Sequence, residues 1–297
     1  MAPTGGCHRP VPAGIFPARR QCLAQLESQT KGQIMVNRRD FLVAAGAVAA
    51  AAPLSAAAAL AAEPAAPERD LYELVQYHLA NEQQKQGLDA YLHDAAIPAL
   101  NRLGIEPVGV FSGVKETSPV YVLLRHRSPA SLIGLTRKLL ADSEYLARGA
   151  AFLNAPADQP AFSRMESSLL WAFAGMPRLE IPVRNAGRVF QLRIYESPSV
   201  KTGQKKIEMF NEAGEIAIFR KVGLNPVFFG ECLVGARMPN LTYMLAFESE
   251  EQQRANWKRF GGDPDWQKLR AIPEYADKLI LSGITSIDLR PTEYSQI

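Results

Sequence analysis

Two stretches of this sequence carry polar and aromatic residues at alternating positions, which brings side chains to one face of a β-strand. Glu73 and Tyr77 lie in the first stretch, and Arg193 and Tyr195 lie in the second. An arginine buried on such a face needs an anionic partner or ligand, because an unpaired buried charge is costly. Two alternatives follow. Glu73 pairs with Arg193 across an internal two-fold axis, or the four side chains line a pocket for a small acidic or planar ligand.

Two tryptophans form a second candidate feature. Trp257 and Trp266 flank the predicted turn at residues 261–264, which reads Gly-Gly-Asp-Pro. Aromatic rings beside a glycine turn can form the floor of a ligand pocket, although they also commonly attach a loop to the core. The candidate ligand-binding residues are therefore Glu73, Tyr77, Arg193, Tyr195, Trp257 and Trp266.

Other reactive side chains give no catalytic motif. His78, His93 and His126 could act as general bases or axial haem ligands, but surface or packing roles fit their neighbours better. Cys232 lies in a predicted strand, where a buried and unreactive thiol is favoured. The sequence has no GxSxG, P-loop, GxGxxG or HExxH pattern and no Cys/His cluster. We therefore identify no catalytic residue and expect neither a metal site nor a cofactor.

An internal repeat organises the chain that carries these groups. Residues 102–108 (RLGIEPV) align without a gap with residues 221–227 (KVGLNPV). In the first copy, strand-type residues occur at 71–77, 108–114, 120–124 and 165–173, and helical spacing occurs at 85–103 and 128–140. The second copy repeats this order, with strands at 189–195, 227–234, 241–247 and 280–289 and helices ending at Val222 and Phe260. Gly104 and Gly223 stand where a glycine ends a helix.

The repeated order predicts a fold class. Strand-helix-strand-strand-helix-strand is the ferredoxin-like arrangement, an antiparallel sheet with helices on one face. The strands are apolar on both faces, so the face without helices must also be buried. We expect two tandem ferredoxin-like domains that pack sheet to sheet as one pseudo-dimeric α+β barrel, with the candidate pocket in its interior.

The N-terminal part has the features of an export signal. Residues 35–61 have Arg38, Arg39 and Asp40 near their start. An apolar segment follows, and a small-x-small site at residues 59–61 ends it. This pattern resembles a twin-arginine signal peptide. We expect a periplasmic or secreted protein without a stable membrane span after cleavage.

The remaining boundaries follow from composition. We expect residues 1–34 to be disordered or to precede the true start at Met35, and residues 62–69 to form a Pro/Ala linker. The predicted domains are residues 70–175 and 188–292, joined by a linker at residues 176–187.

Charge limits the class of partner. The full chain carries a net charge of +3, and residues 1–61 hold six basic and two acidic residues, a charge of +4, which leaves 3 − 4 = −1 for the rest. A nearly neutral folded part does not favour nucleic acid. A small molecule or a protein partner is expected instead, and association into a homo-oligomer through a free sheet edge is also open.

Both copies resemble the NIPSNAP family, whose first strand reads Tyr-Glu-x-Arg-x-Tyr. The first copy keeps Glu73 and Tyr77 but has Val75 at the arginine position, whereas the second keeps Arg193 and Tyr195 but has Gln191 at the glutamate position. The resemblance implies a dimeric α+β barrel fold, which some haem and quinol monooxygenases share, but no accepted reaction. Two hypotheses follow: an exported binding or interaction protein, or a monooxygenase-like or isomerase-like enzyme for an aromatic or haem-like ligand.

Overall fold

An antiparallel sheet of eight strands, closed into a barrel, is the central feature of this computed structural model, which describes residues 68–297. The strands are β1 Leu71–His78, β2 Gly109–Gly113, β3 Val120–His126, β4 Arg164–Ala172, β5 Val189–Glu196, β6 Asn225–Val234, β7 Asn240–Phe247 and β8 Gly283–Pro291. The predictions for residues 1–34 and 35–61, and for most of the linker at 62–69, fall outside the described residues.

The order of strands around the barrel is β1-β3-β2-β8-β5-β7-β6-β4. Strands β1–β4 are therefore arranged 4-1-3-2, and strands β5–β8 are arranged 8-5-7-6, which is the same order. The two groups meet at two seams, where β2 pairs with β8 and β4 pairs with β6. The predicted α+β barrel of two ferredoxin-like sheets is confirmed, and hydrogen bonds between the sheet edges close it.

Apolar side chains fill the barrel. Every second residue of each strand points inward, and the interior cluster includes Tyr72, Leu74, Phe111, Phe190, Leu192, Phe228, Met244 and Leu289, each at most 2% exposed. An eight-stranded barrel is just wide enough for its own side chains to fill it. Hydrophobic burial here therefore stabilises the junction of the two sheets.

Helices cover the outer face of each sheet. In the first half they are α1 Glu82–Ala90, α2 Ile97–Arg102, α3 Pro129–Ile133, α4 Leu135–Leu140, α5 Ser143–Arg148 and α6 Ala150–Leu153. In the second half they are α7 Val200–Asn211, α8 Glu215–Lys221, α9 Glu250–Gly262, α10 Pro264–Arg270 and α11 Asp277–Ile280. Each layer has its own apolar core between sheet and helices. No helix within residues 68–297 is both long and apolar enough to cross a membrane.

The first long predicted helix differs from expectation. The segment begins at Glu82, ends at Arg102, and contains a π-helical turn at Tyr91–Ala96. Pro98 follows this turn, and a proline lacks an N–H and crowds the carbonyl four residues earlier, which accounts for a wider turn at this point. Gly104 and Gly223 have φ values of 74° and 82°, so the predicted glycine helix ends are confirmed.

Candidate functional site

The predicted pocket in the barrel interior is wrong. Tyr72 and Leu74 in β1, and Phe190 and Leu192 in β5, point into the barrel, so the alternate residues of these strands point to the helices. Glu73, Tyr77, Arg193 and Tyr195 belong to this outer set. Because both faces of the strands are rich in apolar residues, alternation alone did not reveal which face closes the barrel.

Glu73 and Tyr77 lie in the first half, apart from the arginine. The Glu73 carboxylate accepts a hydrogen bond from Ser167 Oγ at 2.8 Å and lies 3.5 Å from Nε2 of the buried His126. Burial opposes ionisation of Glu73, but the contacts with His126 and Ser167 lower the pKa of this carboxyl overall. Tyr77 packs edge-on against Phe152 and Phe162. The hypothesis that Glu73 neutralises Arg193 is therefore wrong.

Four of the six predicted residues do come together, in the second half between the sheet and its helices. Arg193 in β5 is the centre of this group. Its guanidinium carbon lies 4.8 Å from the ring centroid of Trp257 in α9 and 5.3 Å from that of Tyr195. Its terminal nitrogens donate to Tyr195 Oη at 3.1 Å and to Ser286 Oγ at 3.3 Å. The buried Nε has no hydrogen-bond partner within residues 68–297.

Arg193 also lacks a counter-ion. No carboxylate of the described residues lies within 4.0 Å of its guanidinium, although ion pairs are frequent elsewhere in residues 68–297. The arginine is partly exposed, and its neighbours in β8, Ser286 and Asp288, are exposed. The contact of the guanidinium with Ser286 therefore lies at a solvent-exposed edge beside β8.

Tyr243 in β7 extends the group beneath Arg193. Its hydroxyl donates to Tyr195 Oη at 2.9 Å. Burial raises the pKa of Tyr243 well above its usual value, so this hydroxyl stays protonated and remains a donor. Tyr195 thus accepts from both Tyr243 and Arg193, and its own proton has no acceptor within the described part of the chain. A tyrosine hydroxyl has one proton to donate, so the buried Tyr195 keeps an unused donor in this arrangement.

A buried ion pair forms the base of the group. Lys206 in α7 and Glu215 in α8 are 1% and 2% exposed, and Lys206 Nζ lies 3.0 Å from Glu215 Oε2. The ammonium is surrounded by the rings of Phe210, Tyr195 and Trp266 at 4.9, 5.6 and 5.9 Å. Burial raises the pKa of Glu215, and the adjacent Lys206 ammonium opposes that rise. This pair is internally neutral, whereas Arg193 is a cation with no carboxylate of the described residues within 4.0 Å.

Polar contacts fix the orientation of Trp257. Its indole N–H donates to Gln191 Oε1 at 2.8 Å, and Gln191 Nε2 donates to Asp288 Oδ1 at 3.0 Å. Trp266 has a different role, since its ring packs at 4.4 Å from the ring of Phe260. The expected Gly-Gly turn between the tryptophans is wrong, because Gly261 and Gly262 belong to the last turn of α9.

Sequence reasoning missed Lys206, Glu215 and Tyr243. Lys206 precedes the buried Met209 and Phe210 by three and four residues, a spacing that places all three on one helix face. Tyr243 alternates with the buried residues Leu241 and Leu245 in β7. The helical spacing of Lys206 and the strand alternation of Tyr243 are visible in the sequence. Neither pattern identifies the residue that each side chain contacts, because that depends on the fold. In residues 68–297 no group of acidic, histidine and cysteine side chains could hold a metal ion.

The buried ion pair gives a stability prediction. Lys206→Met leaves Glu215 buried without its partner, so we expect a loss of about 3 kcal/mol in the free energy of unfolding, measured by urea denaturation. The double substitution Lys206→Met with Glu215→Leu removes both charges and should recover most of this loss. Lys268→Met, at an exposed position of α10, is the control and should change little. A double variant as unstable as the single one would contradict the coupling.

Comparison with known proteins agrees with the barrel. Residues 190–296 match the family model of NIPSNAP, and no curated protein matches. A candidate monooxygenase from Lactobacillus acidophilus NCFM shares the fold with a TM-score of 0.51 and 8% identity, over 75% of this chain and 94% of that one. A second, from Fusobacterium nucleatum, has a TM-score of 0.51 and 7% identity over 76% and 93%.

A NIPSNAP family protein from Agrobacterium tumefaciens is also similar, with 21% identity and a TM-score of 0.33, over 37% of this chain and 98% of that one. The two candidate monooxygenases, each with a TM-score of 0.51, show the fold alone at these identities. The family match covers β5–β8 and the helices that enclose Arg193, Lys206 and Glu215. The likeness of this chain to NIPSNAP therefore rests on the family model for residues 190–296.

Proposed function

We propose that this is an exported small-molecule-binding protein whose NIPSNAP domain holds a small, planar anion against Arg193. The observation that carries the proposal is the absence of any carboxylate partner for this partly buried arginine within residues 68–297. Arginine stays charged at all physiological pH values, and a partly buried charge without a partner favours an anionic ligand. The guanidinium offers donors suited to a carboxylate or an enolate oxygen.

The surroundings of Arg193 support a planar ligand. The Trp257 ring and the Tyr195 ring border the guanidinium, and aromatic rings stack well on flat molecules. The Tyr195 hydroxyl offers a second donor to a ligand oxygen. Gln191 and Asp288 hold Trp257 in place, so the site is organised before a ligand arrives, which lowers the entropic cost of binding.

Arg193→Met tests this proposal. We expect the variant to bind benzoate at least about tenfold more weakly in isothermal titration calorimetry, because one charge-assisted hydrogen-bonded contact is lost. Benzamide, of the same shape but uncharged, should bind weakly to both proteins. Arg254→Met, at an exposed position of α9, should not change benzoate binding. Equal benzoate affinity in Arg193→Met, or a large loss of stability in that variant, would show that the arginine is structural.

A second candidate is a monooxygenase-like or isomerase-like enzyme at the same site. It is supported by a set of titratable side chains in contact with one another. Tyr243, Lys206 and Glu215 lie directly beneath the residues that contact Arg193. The candidate monooxygenases of similar fold add the reaction class. Sites that combine burial with charged partners are frequent in catalysis, but purely structural networks have the same properties.

Mass spectrometry and an absorption spectrum of the protein purified from its native source separate the two candidates. A co-purified haem, flavin or quinone would favour the redox enzyme and contradict simple binding. A colourless protein that carries an aromatic acid would favour binding. Uptake of benzoate without conversion of an aromatic substrate would favour binding as well. This experiment needs no substitution and is therefore independent of folding defects.

Export is the remaining part of the proposal and rests on residues 35–61. Because the twin-arginine pair is the recognised element of such signals, replacing Arg38 and Arg39 together by lysine should leave the protein in the cytoplasmic fraction. Cell fractionation with immunoblotting measures the distribution. Conversion of the exposed Arg137 and Arg254 together to lysine, outside the signal, is the matched control and should not affect it. Unchanged export of the first variant would contradict the assignment.

A further inference from the structure

A concave site lies in the first half, away from Arg193. It is a groove of about 490 Å³ between one face of α1 with its π-helical turn and the segment that follows α5. Small-ligand sites have volumes of this order. The wall formed by the first helix includes Gly87, Ala90, Tyr91 and Asp94, and the opposite wall includes residues 148–161 in part. None of the six residues predicted from the sequence lines it.

The floor of the groove is aromatic and rigid. The rings of Tyr91 and Phe152 stack face to face with centroids 4.1 Å apart and an interplanar angle of 7°. The Tyr91 hydroxyl is hydrogen-bonded to Tyr145 Oη at 2.8 Å, so the polar end of Tyr91 is already occupied. The π-helical turn begins at Tyr91, and such turns frequently mark functional positions. This floor suits the apolar body of a ligand.

Gly87 makes space in the groove. A glycine inside a helix costs roughly 1 kcal/mol relative to alanine, and α1 has one in its interior. A Cβ atom added at Gly87 would meet no atom within 4 Å, so packing against the protein does not require the glycine. Because Gly87 has no side chain, the groove is wider at the wall that α1 forms.

The charges around the groove are predominantly negative. Asp94 and Asp158 both line it. Asp158 forms no ion pair or side-chain hydrogen bond within residues 68–297, and Asp94 contacts only the neighbouring His93. The one lining arginine, Arg148, is neutralised by Glu144 at 3.0 Å. An aromatic floor beside two carboxylates, of which Asp158 has no protein partner among the described residues, is complementary to a cation by charge and through its ring faces and edges.

We infer that this groove is a binding site for a small amphiphilic amine, with the apolar part of the amine on Tyr91 and Phe152 and its ammonium near Asp158 and Asp94. The site is independent of Arg193 and takes a ligand of opposite charge. One chain thus presents an anion site in its second half and a cation site in its first.

Phenethylamine is a suitable probe, with 2-phenylethanol and 3-phenylpropionate as neutral and anionic molecules of similar shape. Isothermal titration calorimetry on the whole protein should give the tightest binding for phenethylamine. Asp158→Asn should weaken phenethylamine by about two- to fivefold, as expected for a solvent-exposed ion pair, and should leave 2-phenylethanol unchanged. Arg193→Met should leave phenethylamine binding unchanged.

Gly87→Leu is the decisive variant, because its Cβ meets no atom within 4 Å, the rest of the side chain extends into the groove, and leucine raises helix propensity. It should reduce phenethylamine binding at least about tenfold, since the filled volume excludes the ring. Gly261→Leu in α9, where an added Cβ also meets no atom within 4 Å, is the matched control and should bind normally. Undiminished binding to Gly87→Leu would overturn the site. Equal affinity for the three probes, or no binding of phenethylamine at about 10 mM, would overturn the cation assignment.

Discussion

The closed barrel has an interior filled with apolar side chains, and this packing determines where polar chemistry can take place. Tyr72, Leu74, Phe190 and Leu192 point inward from β1 and β5, so the residues between them must lie under the helices. A polar site inside the barrel would have to displace this packing, at a cost of several kcal/mol for each large side chain removed. The space between sheet and helices is the alternative, because its edge opens to solvent beside β8.

The two halves carry different side chains on one scaffold. Val75 and Arg193 occupy equivalent positions in β1 and β5, and their neighbours across the sheet are Val122 and Tyr243. The first half is therefore apolar where the second holds its arginine and buried tyrosine, and its accessible concavity lies instead on the outer side of the helical layer. Since the halves share a strand order, they differ here in the residues on their outer faces.

The charges around each cation explain why Arg193, and not Lys206, is the candidate residue for binding an anionic ligand. Lys206 is the more deeply buried cation, but Glu215 neutralises it at 3.0 Å and the surrounding rings complete its environment. Such a pair adds little net stability relative to apolar residues, yet it is costly to break. Arg193 has only neutral partners, Tyr195 and Ser286. Its charge is therefore available to a molecule that arrives from solvent.

The sequence by itself determined the strand-helix order, the two glycine helix ends at Gly104 and Gly223, and the barrel class. These depend on local periodicity and on backbone conformation, which neighbouring residues dictate. It also singled out Arg193 and Tyr195 by their alternation along one strand, and Trp257 as a separate feature, because such signals are local; that Arg193 and Trp257 meet is a result of the fold. Only the tertiary structure decided which sheet face closes the barrel, since both faces are apolar and a shift of one residue exchanges them. The pairing of Lys206 with Glu215, the separation of Glu73 from Arg193, and the groove beside Gly87 likewise depend on how distant segments pack. Contacts of that kind have no signature at fixed spacing in one sequence.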